Sequence, residues 1–173
     1  YWIADMSCNH MGSLKTALAL IDAAADIGCQ AIKPQLFTPD EMCKPGTIAP
    51  SGPWKGKDLY ELYTEIQTPR AWFPIMFERA RKRGISIFSS VFSLEGVDYL
   101  ESLGCSAYKI AANEHNWYPL IDRCIATGKP VLIQRAAKDS ARPAVTNGVD
   151  QAELSDAARD ALRETERQAA RLK

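Results

Sequence analysis

Two lysines stand where apolar residues belong. Lys33 lies in the run Ala31-Ile32-Lys33-Pro34-Gln35, and Lys109 lies in Ala107-Tyr108-Lys109-Ile110-Ala111. Both are short apolar runs of the kind that form buried strands. An ammonium group is costly to bury without compensation, so two such lysines on two strands point to a bound anion. Lys33 and Gln35 are two residues apart and therefore face the same way on a strand. Ser89 and Ser90 end another run and carry hydroxyls able to donate to a phosphate. Asp5 and Glu114 are carboxylates that could hold ligand hydroxyls or move a proton. Ser7, Asn9 and His10 follow the first run, Asn113 and His115 the fourth, and Gln134 and Arg135 the fifth. A Lys–Glu ion pair closing the top of the fold is the plainer alternative for the lysines. His10 and His115 are the only histidines, and their separation lacks the short spacing of a helical or hairpin metal site, so hydrogen-bonded rim positions suit them better.

The elements that must position these residues repeat one pattern: an amphipathic helix, a glycine, then a short apolar run. It occurs at residues 14–27, Gly28 and 31–32, at 72–83, Gly84 and 85–88, at 94–103, Gly104 and 107–111, and at 119–126, Gly128 and 131–133. A glycine just past a helix end supplies the left-handed cap. Short apolar runs between helices read as strands of a parallel sheet, joined by right-handed crossovers. With residues 2–4 as a first strand, the chain has five. Every candidate residue then falls at the C-terminal end of its strand, the edge where parallel α/β folds bind ligands. Ser13 is placed to cap the first helix, which carries Ala17, Leu18, Leu20 and Ile21. Residues 38–57 hold four prolines and three glycines and read as one long loop. The run Leu59-Tyr60-Glu61-Leu62-Tyr63 reads as helix packing, and the basic run 79–83 as favourable charge at a helix C-terminus.

Composition narrows the class. Among 173 residues, 46% are hydrophobic and 24% charged, which fits a globular domain able to bury a core. Lys plus Arg equals Asp plus Glu at 21 each, which argues against nucleic-acid and acidic-membrane partners. No apolar run approaches the roughly 20 residues of a membrane span, and no leader pattern is visible. Because the sequence opens almost inside a strand-like run without Met, further residues are expected upstream. Five cysteines without Cys-x-x-Cys spacing argue for reduced thiols in a cytoplasmic protein rather than for a disulfide framework or structural zinc. From residue 137 the chain changes character. Residues 137–150 read as a loop and 151–172 as a weakly amphipathic helix, which could be a fifth barrel helix, a docking helix or a solvated end.

Taken together, the motifs resemble a known family. Ile3-Ala4-Asp5-Met6-Ser7-Cys8-Asn9-His10-Met11-Gly12-Ser13 resembles the opening Ala-Glu-Ile-Gly-x-Asn-His-Asn-Gly-Ser of the N-acetylneuraminate (sialic acid) synthases. Ala31-Ile32-Lys33-Pro34-Gln35 is similar to their Ala-x-Lys-x-Gln strand, and Tyr108-Lys109-Ile110-Ala111-Ala112-Asn113-Glu114 to their Tyr-Lys-Ile-Ala-Ser-x-Glu strand. Pro53-Trp54-Lys55-Gly56, Leu59-Tyr60-Glu61-Leu62-Tyr63, Thr68-Pro69-Arg70-Ala71-Trp72 and Phe88-Ser89-Ser90-Val91-Phe92 look like the pseudaminic acid synthase branch. The likeness runs in order over about residues 2–135.

The resemblance implies the N-terminal part of a TIM-type (β/α)8 barrel over residues 1–136, about five parallel strands with intervening helices, followed by a divergent loop and amphipathic helical tail at 137–173. It implies a transferase of carbohydrate biosynthesis that condenses phosphoenolpyruvate with an N-acylated sugar to give a nonulosonic acid. Carried over by position, Lys33, Ser90 and Lys109 would bind phosphoenolpyruvate. Asp5, Gln35 and Glu114 would face the sugar and the proton transfers, with Asp5 and Glu114 as the catalytic pair. Asn9 and His10 would shape the rim. A divalent metal, Mn or Mg, is implied, with its histidines on later strands, and a homodimer is the family's usual state. The chain departs from the pattern in three places. Asp5 replaces a Glu, Ala112 a phosphate-binding Ser, and Gln134-Arg135-Ala136 a Ser-Thr-Gly, so that Gln134 is the substrate-side group at the fifth strand. Ala112 and Gln134 favour the alternative of a truncated or degenerate relative that binds an anionic or sugar ligand without turnover, while the retained Lys33, Lys109, Gln35 and Glu114 favour a ligand site over a structural or interaction module.

Overall fold

The computed structural model describes residues 1–134. The expected loop at 137–150, the helix at 151–172, and Arg135 and Ala136 lie outside the described residues. The elements are β1 (Ile3–Ser7), α1 (Leu14–Asp26), β2 (Ala31–Leu36), α2 (Pro39–Met42), α3 (Leu59–Ile66), a 3-10 turn (Arg70–Trp72), α4 (Phe73–Arg83), β3 (Ser86–Ile87), β4 (Ser89–Val91), α5 (Leu94–Ser102), β5 (Tyr108–Ile110), α6 (Tyr118–Ile125) and β6 (Val131–Ile133).

Local chemistry explains the helix boundaries. The Ser13 hydroxyl accepts from the Thr16 N–H at 3.2 Å and opens α1, whose buried stripe is Ala17, Ile21 and Ala24. Ser93 does the same for α5 through the Gly96 N–H at 3.0 Å. At the end of α4, Gly84 adopts φ 71, a left-handed conformation that a side chain would penalise, and Gly28, Gly104 and Gly128 fill the same slot in the other three units. Arg81, Lys82 and Arg83 occupy the last turn of α4, where their charge complements the helix dipole.

All strand pairs are parallel, in the order β1-β2-β4-β5-β6. The third expected strand is found in two pieces. β3 and β4 both pair with β2 and are parted at the buried Phe88, whose N–H still donates to the Ile32 carbonyl at 3.3 Å. Among the described residues β1 and β6 each pair on one side only, so the sheet stays open. Within the same residues no helix is long and apolar enough to cross a membrane.

The register separates two faces. Aligned partners on neighbouring strands share a face, and so do residues two apart. Asp5 aligns with Lys33, Gln35 with Ser90, Ser90 with Lys109, and Lys109 with Leu132. The opposite face carries Ile32, Tyr108 and Ile110, which join Ile21, Met76, Phe77, Leu100, Leu120 and Ile121 in one core beneath the helices. The sheet therefore gives its apolar side to the helices and gathers its polar residues on the other.

One expectation needs correction. The segment 38–57 is not a single loop, because it begins with the short helix α2. The Thr38 N–H donates to the Glu41 carboxylate at 2.7 Å, a capping-box contact that the Thr-Pro-Asp-Glu spelling already encodes. The segment then folds back on itself through an antiparallel bridge between Ile48 and Asp58. Asp58 caps α3 by accepting from the N–H groups of Tyr60 and Glu61 at 2.8 and 3.2 Å. The Tyr60 hydroxyl donates to Asp40 at 2.9 Å and ties α3 to α2.

Candidate functional site

The polar face is built by the strand ends. Lys33 Nζ donates to Asp5 Oδ1 at 2.9 Å across the β1–β2 pair. The lysine side chain is 11% exposed and the aspartate 60%, so the pair runs from the interior to the rim. The same Asp5 oxygen accepts from the Ser7 N–H at 3.0 Å. Two strands further on, Lys109 Nζ donates to Gln134 Oε1 at 2.7 Å. Burial pulls the Lys109 ammonium below the usual lysine range, and the charge of Lys33 pulls it further, against the opposing pull of Asp5 and Glu114. The two lysines thus act electrostatically on one another, as cations on one face do.

Ser90 sits within this row. It is aligned with Gln35 on one side and Lys109 on the other, is fully buried, and its Oγ has no hydrogen-bond partner. Its neighbour Ser89 points to the other face and donates to the Pro34 and Ser90 carbonyls at 3.2 and 2.8 Å. Glu114 follows β5 in a turn closed by its own N–H to the Ala111 carbonyl at 3.1 Å. Its Oε2 is likewise buried without a partner. Burial raises the Glu114 pKa above the usual carboxylate range, with Lys109 partly offsetting it. Orphaned polar atoms of this kind are rare in folded proteins and ask for an explanation. One of them belongs to Ser90, the register partner of Lys109, and the other to Glu114, a carboxylate within electrostatic reach of the same lysine.

The histidines are used by the protein itself. His10 is fully buried, and its Nδ1 accepts from the Gly12 N–H at 3.2 Å. Nε2 therefore carries the proton and donates to Thr68 Oγ1 at 3.0 Å. Trp72 meets the ring edge-on at a centroid distance of 5.3 Å, and burial lowers the pKa so that the ring stays neutral. His10 fastens the β1–α1 loop to the chain ahead of the 3-10 turn, with neither ring nitrogen left for a ligand. Asn9 is exposed on that rim. His115 Nδ1 donates to the Ala112 carbonyl at 2.5 Å. Among the described residues no group of three or more His, Cys, Asp or Glu side chains is placed to hold a metal ion. The described residues therefore supply no complete ligand set for the metal that the resemblance implies.

The structure adds a residue that sequence reasoning passed over. Cys8 Sγ donates to Gln35 Oε1 at 3.4 Å, and burial pushes the thiol up to about 11, so it stays protonated. No spacing rule pairs residues 27 apart across a bulged strand end. As a chemical device the face offers two ammonium groups, an unpaired hydroxyl, an amide and a carboxyl of raised pKa, a set suited to an anion beside a proton-transferring group.

The NeuB family model matches residues 20–154. The pseudaminic acid synthase of Campylobacter jejuni is 44% identical over 138 residues, which cover 76% of this chain and 39% of that protein. The pseudaminic acid synthase of Helicobacter pylori is 36% identical, with 76% and 40% covered. Among solved structures, the N-acetylneuraminic acid synthetase of Leptospira borgpetersenii superposes with a TM-score of 0.68 at 26% identity, covering 81% of this chain and 46% of that one. The chain thus spans about two fifths of the length of the curated relatives it matches, and the open sheet is the N-terminal part of a TIM-type barrel.

Proposed function

The chain belongs to the NeuB family, and from that premise we propose that its protein is a nonulosonic acid synthase of the pseudaminic type, which condenses phosphoenolpyruvate with an N-acylated sugar. The observation that carries the reading is the fully buried, partnerless Ser90 hydroxyl aligned with Lys109 on the face that also holds Lys33. A phosphate or carboxylate there accepts from Ser90 Oγ and from both ammonium groups, which gives the buried hydroxyl a partner.

In the reaction, C3 of phosphoenolpyruvate attacks the aldehyde carbon of the open-chain sugar and forms the new carbon–carbon bond. Water adds at C2, the C2–O bond to phosphate breaks, and phosphate departs to leave a 2-keto acid. Lys33, Lys109 and Ser90 hold the phosphate and carboxylate. Gln35 and Asp5, on the same face, meet the sugar. Glu114, whose burial makes it a weaker acid than usual, takes the proton from the water or delivers one to the aldehyde oxygen. The five unpaired thiols among the described residues fit a cytoplasmic site for this chemistry.

A second reading has its own observation. Gln134 Oε1 takes a hydrogen bond from Lys109, where the family pattern has a Ser at this position. This supports a relative that holds the anion without turning it over. Phosphate release from phosphoenolpyruvate, measured with a panel of N-acylated amino sugars beside calorimetric binding, separates the two. Sugar-dependent release that is lost in Lys33→Ala and Lys109→Ala carries the synthase. Phosphoenolpyruvate binding without release carries the inactive relative, and absence of binding by the folded protein sinks both.

A further inference from the structure

Cys8 reaches Gln35 because β1 is distorted at its end. The strand keeps register with β2 as far as Asp5 opposite Lys33 and then slips, so that Ser7 aligns with Pro34. Ser7 adopts φ 48, a left-handed conformation that a residue with a side chain rarely takes. Its N–H is held in the turn by Asp5 Oδ1. A bulge of this sort re-aims the following side chain, and the following side chain is Cys8, with Sγ 3.4 Å from Gln35 Oε1. Gln35 in turn is the register partner of Ser90, whose buried hydroxyl has nothing to bond. The thiol therefore touches an amide whose residue is the direct register partner of Ser90.

We propose that Cys8 is a positioning residue: its S–H occupies Gln35 Oε1, fixes the amide orientation, and leaves the Nε2 hydrogens as what Gln35 presents to the ligand. The inference rests on the reading that Gln35 faces a sugar. A glutamine free to flip offers a donor or an acceptor. One whose oxygen is taken selects for a ligand oxygen, such as an N-acyl carbonyl or a hydroxyl lone pair. Burial keeps the thiol in its donating form across the physiological range.

Two measurements on the full chain decide it. The first is Raman spectroscopy of the Cys8 S–H stretch, isolated by subtracting the spectrum of Cys8→Ala. A hydrogen-bonded band that moves to the free-thiol position in Gln35→Leu is expected, and a band that does not move overturns the proposal. The second is titration with N-acetylmannosamine and, separately, phosphoenolpyruvate. Losing one modest hydrogen bond should weaken the amino sugar about threefold in Cys8→Ala and recover in Cys8→Ser, with phosphoenolpyruvate unchanged. Equal amino-sugar affinity in all three proteins means the bond exists without positioning anything and also overturns the proposal. If the parent chain binds neither probe, the synthase reading fails, while the Raman band still decides whether the thiol holds the amide.

Discussion

Lys33 Nζ lies 2.9 Å from Asp5 Oδ1, and the two residues are direct partners in the β1–β2 register. The plain alternative to an anion site is a Lys–Glu ion pair; Lys33 pairs with an aspartate instead, and that pair stands beside the unpaired Ser90 hydroxyl. Asp5 is mostly exposed, so the pair contributes little to stability, within about 0.5 kcal/mol. It does compete with an incoming anion for the same ammonium. Asp5→Asn should therefore leave the melting temperature almost unchanged and tighten phosphoenolpyruvate binding about two- to fivefold, while lowering turnover. Calorimetric titration reads the affinity, and weaker binding in the variant would show that Asp5 orients Lys33 instead of competing for it.

Ser90 gives opposite signs for stability and binding. Its Oγ is buried with no partner, so Ser90→Ala removes an uncompensated polar atom and should stabilise the ligand-free protein by about 1 kcal/mol. The same change deletes a donor to the anion and should weaken phosphoenolpyruvate about tenfold. Thermal melts with and without ligand check both halves. A variant that loses stability without ligand would mean that the hydroxyl already has a partner.

Much of this arrangement was legible in the sequence. Ser13, Gly84 and the repeated helix–glycine–strand unit placed the main helices to within a residue or two, because caps and αL glycines are local signals, whereas β1 and β2 run three and four residues past the expected 2–4 and 31–32. The alternation of side chains put Lys33 and Gln35 on one face without any coordinates. The choice between Ser89 and Ser90 was different, since only pairing to β2 and β5 decides which of two adjacent serines faces the site. The break of the third strand at Phe88, the His10–Thr68 bond and the Cys8–Gln35 contact join residues far apart in sequence, where periodicity carries no information. The capping box of α2 is spelled locally by Thr38 and Glu41 but is masked by the prolines and glycines that dominate the segment.

Strain offers a test that needs no ligand. Ser7 and Met11 are the two non-glycine residues with positive φ, at 48 and 52, among the described residues. Met11 is 85% exposed, so replacing it sacrifices almost no packing. Met11→Gly relieves about 1–2 kcal/mol of backbone strain and gives back part of it through the freer unfolded chain, for a net gain of about 0.5–1 kcal/mol. Ser7→Gly should gain a similar amount. Denaturant midpoints at unchanged slope are the measurement, and a loss of stability in Met11→Gly would mean that its backbone conformation is not the strained one seen here.

The lowered pKa of Lys109 fixes how binding responds to pH. In the folded, ligand-free protein burial and Lys33 hold this ammonium below its unfolded value. Below both values the group is charged in both states, and the full cost of burying the charge is present. As pH rises through the folded value the native lysine loses its proton first, and that cost is relieved. Lys109→Met should accordingly stabilise the protein at neutral pH, with a margin that shrinks in alkali. An arriving anion does the reverse to the wild-type group, because it favours the charged form and draws a proton in. Phosphoenolpyruvate binding in alkaline solution near the lowered lysine value, where the ligand phosphate is already fully ionised, should thus be accompanied by proton uptake. Binding should also weaken as pH climbs through the lowered lysine value. Calorimetry in two buffers of different ionisation enthalpy detects the uptake as a difference in apparent binding enthalpy. Lys109→Arg, which stays charged throughout, should bind with no such difference. Identical enthalpies in both buffers for the wild-type protein would place the anion away from Lys109 and leave Lys33 alone to hold it.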